Sequence, residues 1–70
     1  MKRQYTNNFA GAAQATRDFI FENANGNIDA ARRRVDHILQ SDFDVRRVKE
    51  LSSGQFSAYI ETLGYEVANV

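Results

Sequence analysis

His37 follows Asp36 directly and lies one helical turn after Arg33, and this is the one place in the chain where a titratable pair suggests proton transfer. General acid–base or nucleophilic chemistry needs a second group at a fixed distance. The sequence signals none: it has no cysteine, His37 is its single histidine, and no G-x-S-x-G arrangement occurs. His37 therefore reads as a solvated or rim side chain. A metal site would have to combine it with scattered aspartates. The segment ENANGNIDA has Asn25, Gly26 and Asn27 where a calcium loop has its middle ligands, but it lacks the acidic first ligand, and an arginine stands where the closing glutamate belongs. The expected reading is no catalytic residue, no metal ligand and no cofactor, hence no enzyme and no small-molecule substrate.

The other chemistry on offer is cationic. Nine basic and nine acidic side chains cancel overall, which argues against a protein built to coat nucleic acid. Between residues 30 and 49, however, six cations face three aspartates, and residues 50 to 70 carry only Glu50, Glu61 and Glu66. A basic middle and an acidic tail suit a charged partner or a self-complementary dimer. Arg32, Arg33 and Arg34 are consecutive, so their side chains fan out by about 100° each around a helix. Asp29 and Asp36 stand three or four residues away, a spacing that favours internal pairing. If Arg33 and Arg34 instead join Arg46, Arg47 and Lys49 across the SDFDV turn, the cluster is large enough to hold a phosphate backbone or an acidic protein.

These residues need elements to position them. From an asparagine cap at Asn7 or Asn8, Phe9, Ala12, Ala13, Thr16, Phe19 and Ile20 recur at helical spacing, predicting a helix near 8–24. NANGN closes it, with Gly26 as terminator and Asn27 as the next cap, so two antiparallel helices are expected. The second, near 27–41, shows Ile28, Ala31, Val35, Ile38 and Leu39 on one stripe. VRRVKEL predicts a short helical turn near 45–51. LSSGQFSAYIETLGY then predicts a helix near 52–63, with Ser52 and Gln55 as a capping box, Leu51 and Phe56 as a hydrophobic staple and Gly64 as the stop. Residues 1–6 are polar and aperiodic and predict a loose lead-in, whereas the tail YEVANV either packs across the helices or extends as an edge strand.

Seventy residues make a single small domain that buries only about 60% of its unfolded surface. With no disulfide to help, its core must do the holding. The absence of cysteine points to a reducing cytoplasmic setting, and no apolar run reaches membrane-spanning length. The expected fold is an all-α domain of three helices with a short extra helical turn before the last. Phe21 falls off the first helix's apolar stripe, and it joins Tyr65, Val67 and Val70 as candidates for an apolar partner patch.

The order of residues from Val35 to Glu61, VDHILQSDFDVRRVKELSSGQFSAYIE, resembles the small helical module at the C-terminal end of phage antirepressor and related prophage regulatory proteins. There a helix runs into a phenylalanine, a small residue and a valine, followed by a basic stretch, an apolar residue and a capped helix. Phe43, Val45, Lys49, Leu51, Phe56 and the Tyr59-Ile60-Glu61 turn match this order, while Asp44 stands where glycine or a small residue is usual. The resemblance implies a non-enzymatic accessory domain in the host cell's cytoplasm that helps a regulator bind a repressor or assemble with itself. The turn NGNIDAA also looks like the start of the last helix of ubiquitin-associated domains, which need two earlier helices. A DNA-binding alternative casts VRRVKEL and the last helix as a helix-turn-helix. Ser53, Gln55 and Ser57 would then read bases, although that helix contains no arginine or lysine and Glu61 opposes phosphate.

Overall fold

The computed structural model describes residues 3–68. Its elements in chain order are strand β1 (Gln4–Tyr5), helix α1 (Phe9–Asn23), helix α2 (Ile28–Phe43), a 3-10 turn at Val48–Glu50, helix α3 (Phe56–Thr62) and strand β2 (Glu66–Val67). Helix α1 starts where Asn8 places its side-chain oxygen 2.8 Å from the Gly11 N–H, satisfying one of the donors a helix start leaves open. It stops at NANGN, where Asn25 and Gly26 both adopt left-handed backbone, with φ of 44° and 83°. Asn27 then caps α2 by accepting from the Ala30 N–H at 3.1 Å. The end of α2 is Asp44, left-handed at φ 53°, whose N–H donates to the Leu39 carbonyl.

The core forms where α3 meets α1. Ala12 and Ala15 are fully buried, and their small side chains let Tyr59 and Ile60, also fully buried, come close. Leu39 and Val35 of α2, Leu51 and Leu63 complete it. Tyr59 does not bury its hydroxyl unpaired: it lies 2.6 Å from the Thr16 hydroxyl, which in turn donates to the Ala12 carbonyl. Phe43 meets the Tyr59 ring edge-on with centroids 5.8 Å apart.

Three expectations change. The domain is mostly helical but not purely so, because β1 and β2 pair in parallel, with Gln4 opposite Glu66 and Tyr5 opposite Val67. Residues 4 and 5 are therefore part of the fold and not a loose lead-in: Tyr5 is buried, and the Arg3 and Tyr5 carbonyls accept from the Glu66 and Ala68 N–H groups. Gly11 makes this possible, since a Cβ there would collide with the Thr6 backbone carbonyl. The last helix begins at Phe56 instead of Ser52. The Ser52 N–H does donate to the Gln55 side chain at 2.9 Å, so half of the capping box forms, but Ser53 to Gln55 remain a turn. The stop at Gly64 (φ 96°) is as expected, with Tyr65 N–H to the Ile60 carbonyl and Gly64 N–H to the Glu61 carbonyl.

Candidate interaction surface

The chain presents two polar faces of opposite character. On the first, the N-terminal segment is fastened to α1. The Tyr5 hydroxyl donates to Asp18, Gln14 donates to the other Asp18 oxygen at 3.1 Å, and Arg3 bridges Asp18 at 3.0 Å and Glu22 at 3.5 Å. From the tail, the Tyr65 hydroxyl donates to Glu22 at 2.7 Å and its ring meets Tyr5 edge-on at 5.0 Å. The hydrogen bond from Tyr5 holds the Asp18 carboxyl below its ordinary pKa, with Gln14 and Arg3 assisting against desolvation. Burial pushes the Tyr5 and Tyr65 hydroxyls up, and the carboxylates they face push them further. Every charge in this clasp has a partner. It holds Arg3, Tyr5 and Tyr65 on α1.

The second face lies between α2 and the segment at Arg46 and Arg47. Because consecutive arginines point apart, it is Arg32, and not Arg33 or Arg34, that joins Arg46 and Arg47; with Asp36 and Gln40 they line a groove of about 580 Å³. A smaller adjoining hollow shares Arg32, Asp36, Arg46 and Arg47 with it and adds the apolar side chains of Ile20, Val35, Leu39 and Val48. Arg33, Arg34 and Lys49 are exposed outside it. The internal pairing expected of Asp29 and Asp36 does not form: among the described residues the ion pairs are those of Arg3, and none involves an arginine of α2 or of the Arg46–Arg47 pair. These cations are left to solvent.

At the turn between α1 and α2 the surface becomes apolar. Phe21 is 85% exposed and Ile28 60% exposed, and with Ile20 and Ala24 they line an open apolar depression edged by Arg17. Phe21 thus stands where the sequence places it, on an open surface. Tyr65 and Val67 do not join it, because both pack against the core at the other side of α1; Val70 lies outside the described residues. Ile28 was expected on the buried stripe of α2 and is the residue that the periodicity misplaces. It is the first residue of the helix, one turn before Ala31, where the buried stripe of α2 begins. Phe9, likewise expected inside, is 50% exposed at the start of α1.

His37 is exposed on α2, and among the described residues no three histidine, aspartate or glutamate side chains gather as a metal would require. The Gln55 amide oxygen, one of the base-reading candidates, is already engaged by the Ser52 N–H. No helix among the described residues is long and apolar enough to cross a membrane. No known protein family matches the sequence, and neither a curated protein nor a solved structure shows significant similarity to it.

Proposed function

We propose that this chain is a non-enzymatic interaction module of the phage or prophage regulatory kind, working in the cytoplasm through contact with a protein partner, either a repressor or a second copy of itself. The observation that carries the reading is the pair of large apolar side chains, Phe21 of α1 and Ile28 of α2, held in water side by side across the turn that joins the two helices. A domain with so small a core gains more from burying such residues than from displaying them, at roughly 25 cal/mol per Å² of apolar surface. Leaving two neighbours exposed makes sense where something else covers them. The order of residues from Val35 to Glu61 supports the regulatory setting, and the left-handed Asp44 occupies a position where glycine is the ordinary choice.

The second reading is a small DNA-binding domain. It rests on the unpaired Arg32, Arg46 and Arg47, and is weakened by Asp36 among them and by the engaged Gln55. Selection from a random peptide display library on the wild-type chain and on Phe21→Asp separates these readings. Binders recovered by the wild type and lost on the variant support the interaction module. Equal recovery on both, together with light scattering that shows a complex with a short DNA duplex whose formation falls steeply with added salt, supports DNA binding instead.

A further inference from the structure

The apolar depression and the arginine groove are one surface. Ile20 lines the depression and also the apolar hollow that shares Arg32, Asp36, Arg46 and Arg47 with the groove, and on α2 the residues Ile28, Arg32, Asp36 and Gln40 follow at intervals of four, which places them along a single edge. The trough therefore follows this edge of α2 from an apolar end at the α1–α2 turn, with Phe21 and Ile28, to a cationic end beside Arg46 and Arg47. From Ile28 to Gln40 the helix rises about 18 Å, the length of roughly three turns of a second helix laid beside it.

We infer that this trough receives a short acidic amphipathic helix of a partner protein, one that seats apolar side chains on Phe21 and Ile28 and sets carboxylates against Arg32, Arg46 and Arg47. Charge selects this occupant. Among the described residues the cations of the trough have no ion-pair partner, so a carboxylate from outside can meet the guanidinium fork with two parallel hydrogen bonds, the geometry in which arginine binds carboxylate best. An extended phosphate backbone fits less well, because the end of the trough at Phe21 and Ile28 is apolar and offers it no cation to neutralise but Arg17 at its edge. A second copy fits less well: the apolar face of α3 is buried in its own core, and the carboxylates of α1, Asp18 and Glu22, are held by Arg3, Tyr5 and Tyr65. The inference rests on the interaction-module reading and specifies its partner.

The test is a titration of isotope-labelled protein with three probes: a helical peptide with a leucine stripe flanked by glutamates, the same peptide with glutamines in their place, and a short DNA duplex. The glutamate peptide is expected to shift the backbone signals of Phe21, Ile28, Arg32, Arg46 and Arg47, and to bind at least ten-fold tighter than the glutamine peptide. Its affinity should fall on Arg46→Ala/Arg47→Ala and rise several-fold on Asp36→Asn, which removes the one repulsive carboxylate in the trough. Equal binding of the two peptides at Phe21 overturns the acidic partner and leaves the interaction module standing. Stronger shifts of the same arginines by the duplex overturn it in favour of nucleic acid. Signals at Phe21 and Ile28 that change only on dilution overturn it in favour of self-association. If no probe and no dilution perturbs Phe21 and Ile28, both this inference and the reading beneath it fall.

Discussion

The clasp around Asp18 and the trough beside Arg32 contain similar side chains and treat them in opposite ways. In the clasp, one arginine, two carboxylates and two tyrosines close on one another until each polar head is matched. In the trough, the arginines outnumber the nearby carboxylate, Asp36, and no pair forms. Fully matched groups secure a fold and leave nothing for a ligand, whereas unmatched charge beside exposed apolar surface is what recognition uses. The first region holds β1 and the segment at Tyr65 on α1, and the second is the face that the proposed function gives to a partner.

If that division is right, substitutions in the clasp should cost stability. The largest effect is expected from Tyr5→Ala, which empties a buried position under β1 and releases Asp18, at about 3 kcal/mol or more by denaturant unfolding. Gly11→Ala should follow, at about 1–3 kcal/mol, because the new methyl meets the Thr6 carbonyl and only movement of β1 relieves it. The helix-propensity gain of alanine, about 1 kcal/mol, opposes this and does not cancel it. A stabilised Gly11→Ala variant would show that the N-terminal segment does not rest on α1.

Acid should loosen the same region next. The Asp18 carboxyl is held below its unfolded pKa, so the unfolded chain binds the proton more readily between the two values. The stabilisation is therefore complete above the ordinary carboxylate pKa of about 3.9 and is lost as pH falls through the lower folded value. Unfolding followed against pH should show this acid limb in the wild type and a flatter one in Asp18→Asn. Smaller still is the effect of Asp44→Gly, which relieves a left-handed backbone at the end of α2 and should raise stability by up to about 1 kcal/mol. Thermal unfolding checks its sign.

Much of this architecture was legible in the residues themselves. Asn8, Asn27 and the NANGN turn mark the limits of the first two helices because caps and left-handed terminators are local chemistry, decided within a few residues. The strands were not legible: each is two residues long, too short for any period, and Tyr5 sits in a polar run where nothing announces burial. Its burial depends on Gly11 and on a tail more than sixty residues away, and such long-range consequences are invisible to spacing. Helix α3 starts late for a related reason, since the Gln55 half of the capping box forms within a turn and does not require Ser53 to be helical. At the candidate surface, Phe21 could be picked out because it breaks the apolar stripe of α1. The identity of the clustered arginines could not. A spacing of four allows Asp29 or Asp36 to pair with Arg32 but does not compel it, and only the crossing of the 45–47 segment over α2 decides which arginine meets Arg46 and Arg47.

The division between the two regions is tested most directly by equilibrium unfolding of the combined variant Phe21→Ser/Ile28→Ser/Arg46→Ala/Arg47→Ala beside the wild type. Each substitution lies on open surface and should change stability by no more than about 0.5 kcal/mol, so the variant is expected to unfold with nearly the wild-type midpoint and slope. A combined loss of about 4 kcal/mol or more, the sum expected of two buried large-to-small changes, would mean that Phe21 and Ile28 serve the core after all, and would contradict the proposal that this face meets a partner.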